Sequence, residues 1–171
     1  MKLNHWVWLP VAAVSTSVYA TTYFTVEAAQ EAIFPATKLT PAFATLTDAQ
    51  VQQIEQHAGV KVSIKEVKAW KVAGGGWFIV DEVMGKHEFI TYAVGLNADG
   101  SVKAIEIMDY RESYGYEVRN PQWRKQFVGK TSADTLKPDQ DIRTISGATI
   151  SSRHITEGVK RVLATYAVAL K

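Results

Sequence analysis

The 171-residue sequence predicts an α+β fold in a single domain, an antiparallel sheet of about four strands packed with helices. Three observations lead there. Two short helical runs precede Val60, strand-like alternation then extends to Met108, and apolar residues return at helical spacing from Ser151 to the C-terminus. Between the strands stand Gly74-Gly75-Gly76, Gly85-Lys86 and Asn97-Ala98-Asp99-Gly100, turns short enough to make consecutive strands antiparallel neighbours.

Met1-Lys2, the nearly continuous apolar stretch Trp6 to Val14 and the tolerated pair Val18 and Ala20 around Tyr19 read as a signal peptide over residues 1–20. The stretch is short for a membrane span, although an uncleaved anchor is the alternative. Either way the body of the chain is expected in the periplasm or another extracytoplasmic space. Residues 21–60 read as an N-terminal helical segment. Glu27 to Phe34 forms one helix, stopped by Pro35. Thr47 to His57 forms another, with Thr47 and Gln50 as a capping box and Gly59 at its end. Pro41 lies in the loop between them.

Val62, Ile64 and Val67 then lead a strand into Trp70; Trp77 to Val83, Glu88 to Leu96 and Val102 to Met108 supply the others. Trp70 and Trp77 flank the triple glycine as packing anchors. After a polar, aromatic stretch from Asp109 to Glu117, Asn120-Pro121 opens a short helix with Trp123, Phe127 and Val128, ended by Gly129. The last helix begins near Ser151, with Ile155, Val159, Val162, Leu163, Tyr166 and Leu170 on the face that packs across the sheet.

Composition narrows the function classes. The chain is 47% hydrophobic, enough for a core of its own. Its 19 Lys+Arg are scattered and nearly balanced by 17 Asp+Glu, which argues against a nucleic-acid partner. It has no cysteine, so disulfides, thiolate zinc sites, iron–sulfur clusters and thioether-linked haem are excluded from it. His5, His57, His87 and His154 lack ligand spacing and read as ordinary surface or half-buried histidines, so no metal is expected.

One segment suits an anion. Ser146-Gly147-Ala148-Thr149-Ile150-Ser151-Ser152 joins small residues to a helix start, where unpaired N–H groups and the positive dipole end favour a phosphate. The plainer reading is that Ser151 or Ser152 caps the helix and Gly147 makes a turn.

Ser146-Gly147-Ala148-Thr149, followed by Ile150-Ser151-Ser152, resembles the flavinylation motif of FMN-binding domains. These occur in the C and G subunits of the sodium-pumping NADH:quinone oxidoreductase and Rnf-type complexes, and in smaller extracytoplasmic proteins. Glu112-Ser113-Tyr114-Gly115-Tyr116 resembles the family's loop beside the flavin ring, with Phe127-Val128-Gly129-Lys130 at the usual distance after it. The resemblance runs from about Gly75 into the last helix, and residues 61–171 are expected to form the FMN-binding domain.

The resemblance implies an electron carrier whose FMN is joined covalently to Thr149 through a phosphoester. A flavin transferase using FAD would install it, and a membrane redox partner would exchange electrons with it. Cofactor binding would involve Ser146, Gly147, Ala148, Thr149, Ile150, Glu112, Tyr114, Gly115 and Arg111. Tyr110, Tyr116 and Trp123 are further candidates for the ring's surroundings. No nucleophile with its base and no acid pair stands out, which favours a carrier over an independent enzyme; a small flavin reductase is the enzymatic alternative. A periplasmic binding or interaction module of the same fold, with non-covalent or no flavin, is the other. The chain departs from the family pattern at Arg143, where an acid usually stands six places before the threonine and the nearest acid is Asp141. It departs also at Ser113-Tyr114 in place of Thr-Pro and at Glu117 in place of a second glycine.

Overall fold

The computed structural model describes residues 21–171, so the expected signal peptide lies outside the described residues. Strand β1 is Thr21–Thr22, helix α1 Val26–Ile33, β2 Leu39–Pro41, β3 Ala44–Thr45 and helix α2 Asp48–Ala58. The long strands are β4 (Glu66–Val72), β5 (Trp77–Met84), β6 (Phe89–Leu96) and β7 (Val102–Tyr110). A 3-10 turn, Tyr116–Arg119, precedes the short helix α3 (Pro121–Arg124), and helix α4 (Thr149–Thr165) closes the fold.

The four long strands form the expected antiparallel meander. Three short strands lengthen it: the sheet order is β1-β7-β6-β5-β4-β2, with β3 also on β4. These additions span two or three residues each, too few to show alternation. Pro41 was expected in a loop but ends the edge strand β2, where a residue without an N–H is tolerated. Residues 60–65 form no strand, and β4 starts only at Glu66.

Both faces of the sheet are covered. Helix α1 lays Ala29 and Ile33, with Phe34 just beyond its end, onto Val72, Phe78, Val80, Ala93 and Met108. Gly95 permits this, because a Cβ there would stand 2.3 Å from Ile33. The opposite face carries the larger core, where Ile54 of α2 and Ile155, Val159, Val162 and Leu163 of α4 meet Ile79, Tyr92, Val94, Ile105 and Ile107. Thr47 and Gln50 form the expected capping box on α2, and Gly59 ends it with φ 65°.

A bulge in β7 bears on the site. Thr91 pairs with Asp109 but Tyr92 with Ile107, so one residue is inserted near Met108. Ile107 and Tyr110, three apart, therefore both face the α4 side, while Met108 faces α1. In a regular strand Tyr110 would face the other way.

Candidate functional site

The end of the sheet where β5 turns into β6 and β7 runs out holds a cavity of about 510 Å³. One lip is the start of α4, with Gly147, Ala148, Thr149, Ile150 and Ser151; the other is Lys86 and His87 of the β5–β6 turn with Glu112, Ser113 and Tyr114 beyond β7.

Helix α4 begins at Thr149, two residues earlier than the sequence pattern suggests, and its cap residue Ala148 makes no side-chain cap. The serines read as possible caps are buried inside the first turn. The Ser152 hydroxyl accepts from Ile145 N–H at 3.2 Å and donates to the Ala148 carbonyl at 2.8 Å, locking the turn from Ile145 to Ala148 onto the helix. Gly147 makes that turn with φ 84°. The first N–H of this region paired along the helix is that of Ser152, to Ala148 O. Those of Thr149, Ile150 and Ser151 have no acceptor among the described residues, leaving three donors and the positive dipole end at the cavity. Thr149 is exposed, and its hydroxyl reaches only the Ile145 carbonyl, at 3.3 Å.

Glu112 clamps the opposite lip. Its Oε1 accepts the backbone N–H of His87 at 2.6 Å and of Glu88 at 3.1 Å. Burial raises the carboxyl's pKa, but those N–H groups and that of Lys86 outweigh it and hold the group below its usual 4.5. Gly85 makes the approach possible, since a Cβ there would sit 2.5 Å from the Glu112 oxygen and 2.9 Å from the Glu88 carbonyl.

Tyr110, which packs beneath the cavity without lining it, links the two lips. Tyr110 donates its hydroxyl proton to the Tyr114 carbonyl at 2.5 Å, so the Ser151 hydroxyl, 3.2 Å away, is the donor of their shared bond. Burial is the main cause pushing the Tyr110 phenol above its usual value, which keeps it a donor. Gly115, at φ 91°, lies against this pair: a Cβ would meet Tyr110 Oη at 2.5 Å and Ala148 Cβ and Ser151 Oγ at 3.3 Å. At the flank His154 of α4 binds the Met84 carbonyl through Nδ1 at 2.5 Å, so that nitrogen carries the proton.

Of the residues singled out in the sequence, Gly147, Ala148, Thr149, Ile150, Glu112 and Tyr114 line the cavity. Gly115 packs beneath it, and Ser146 is exposed just before Gly147. Arg111 does not line it and pairs with Asp109 at 2.8 Å. Trp123 is buried edge-on to Phe127 and donates its indole N–H to the Arg143 carbonyl at 2.7 Å, so it steadies the approach to the Gly147 turn from outside. Tyr116 is exposed and off the cavity wall. Tyr110, expected near the ring, does not line the cavity and packs beneath it on Ser151. Lys86 and His87 escaped the sequence reading. Gly85 was their signal, a turn glycine whose partner lies 27 residues ahead in the chain at Glu112, a separation no local pattern spans.

A family model described as the FMN-binding domain matches residues 85–164. Over those residues the chain is similar to FMN-binding domains. The match starts at the Gly85 clamp and ends within α4, so it contains every residue that lines the cavity. The chain is also 30% identical over 81 residues to the G subunit of the Na(+)-translocating ferredoxin:NAD(+) oxidoreductase complex from Acetobacterium woodii. That alignment covers 42% of this chain and 39% of the relative, so the chain matches well under half of that relative's length. The cavity's volume falls in the range of about 300–1,000 Å³ common to cofactor sites, and the three N–H groups without an acceptor among the described residues belong to residues that line its lip.

Proposed function

We propose that this is an extracytoplasmic electron-transfer flavoprotein carrying FMN covalently on Thr149 through a phosphoester. The observation that carries the reading is the position of Thr149. It is the first residue of α4, exposed at the cavity lip beside unpaired N–H groups, inside a family match to FMN-binding domains. No base contacts its hydroxyl, which binds only a carbonyl oxygen. Activation therefore falls to a flavin transferase, which exchanges AMP of FAD for the threonine oxygen on the FMN phosphorus, the hydroxyl proton leaving as AMP departs.

Bound FMN supplies one- and two-electron chemistry. The chain's own residues do the holding. The α4 N–H groups and Gly147 receive the phosphate, Glu112 fixes the backbone of Lys86 and His87 at the facing lip, and Tyr114 offers an exposed ring as a wall. Lys86 adds positive charge there, which favours electron uptake. A covalent bond also keeps a cofactor that dissociation outside the cytoplasm would dilute away. The signal-like residues 1–20 support the location, and the relative's role as part of an oxidoreductase complex supports a membrane redox partner.

Intact-mass measurement after expression with a flavin transferase tests the bond. The wild type should gain the mass of FMN minus water, and Thr149→Ala should not. An unlabelled wild type that releases yellow FMN on denaturation would replace the phosphoester with non-covalent binding.

A further inference from the structure

We infer that the cavity end of the sheet is a membrane-contact surface, seated on the lipid headgroup interface with the cavity mouth facing the bilayer. Eight large apolar side chains are exposed among the described residues. Six of them, Ile64, Met84, Phe89, Tyr114, Tyr116 and Ile150, gather at this end. Ile64, Met84 and Phe89 share the wall of a second cleft of about 460 Å³ across the β5–β6 turn. Tyr114 and Ile150 line the first cavity, and Tyr116 follows Tyr114 by two residues. Bound flavin would cover at most Tyr114 and Ile150, because the other four do not line its cavity. Val128 lies by contrast beside Gly129, which pairs with Val102 at the far end of β7.

The path of the chain selects the occupant. β1 runs antiparallel to β7 with Thr21 opposite Tyr110, so β1 starts at the cavity end and runs away from it. The twenty residues before Thr21, including the apolar run Trp6 to Val14, therefore join the domain at the same end as the six exposed apolar side chains. Tyrosine and phenylalanine gathered at one end suit a headgroup interface, where the rings meet the acyl boundary while the exposed Lys86 and Glu88 of the turn stay among the polar headgroups. A patch of this kind, concentrated on one end, is what marks an interaction surface.

The absence of cysteine makes the test direct. Single-cysteine variants of the full chain, Phe89→Cys and Tyr116→Cys against Val128→Cys and Phe43→Cys, carry an environment-sensitive fluorophore. Each is mixed with vesicles of phosphatidylcholine and phosphatidylglycerol and no other protein. Blue-shifted emission at positions 89 and 116, and none at 128 and 43, is expected, in the wild-type background and equally with Thr149→Ala. That second background separates this surface from flavin attachment. Equal response at all four positions, or none at 89 and 116, overturns the inference. So does a shift seen before vesicles are added together with a doubled solution mass, which assigns the face to a second copy. A shift that requires an added membrane protein assigns it to that protein and also overturns it.

Discussion

Gly115→Ala is the sharpest probe of how the site is built. Two effects add at this position. The first is backbone strain: φ is 91°, where a Cβ costs about 1–2 kcal/mol. The second is collision, since the new methyl group would sit 2.5 Å from Tyr110 Oη and 3.3 Å from both Ala148 and Ser151. Tyr110 is 2% exposed and held at both sides, so it has little room to retreat, and such overpacking costs about 1–3 kcal/mol. The sum is about 2–5 kcal/mol.

Gly129→Ala provides the control. Its φ of 81° carries the same strain, but nothing lies within 4 Å of its Cβ position. It should cost only the backbone share, about 1–2 kcal/mol. Urea unfolding of both variants measures the difference, and each kcal/mol lowers the melting temperature by about 2–4 °C in a domain of this size. Gly115→Ala should also lower FMN content, because the displaced Ser151 lines the cavity and Tyr110 supports it from beneath, whereas Gly129→Ala should retain it. Equal destabilisation of the two variants would refute the close packing of the Gly115 loop on α4.

Arg161→Ala should destabilise by about 3 kcal/mol in urea unfolding, the low end for breaking a buried pair because both partners keep some solvent contact; it removes the charge partner 2.6 Å from the Asp81 carboxylate, leaving it the buried Tyr92 hydroxyl as a donor. Acid should unfold the protein in part through Glu112, Asp134, Asp139 and Asp141, whose carboxyls are all held below their usual values. Their folded-state pKa is depressed, so their stabilisation is full above the unfolded value and is lost as pH falls from there through the folded one. Melting curves from neutral pH to below 4.5, the ordinary value for Glu112, should show this loss, reduced in Glu112→Gln. Arg143→Asp should raise the fraction of chain flavinylated, read by intact mass. It should change stability by no more than about 0.5 kcal/mol, because Arg143 is exposed and its Gln126 and Trp123 bonds use only its backbone.

By itself the sequence determined the α+β class, the four-strand meander, both N-terminal helices with the capping box of the second, and the small-residue segment Ser146 to Ile150 at the start of the last helix. Each rests on local chemistry: alternation, capping side chains, turn glycines and a short motif. Tertiary structure alone decided the three extra edge strands, which are too short to carry a pattern and exist only because a neighbour offers unpaired backbone groups. It likewise decided that α4 starts at Thr149, through the buried Ser152 hydroxyl that reaches back to Ile145 and Ala148. The bulge near Met108 sets which face Tyr110 takes, and one inserted residue reverses that parity without altering composition. Glu112 reads in sequence as a loop carboxylate beside a ring; only the fold shows it holding the β5–β6 turn across the cavity, a contact made possible by Gly85.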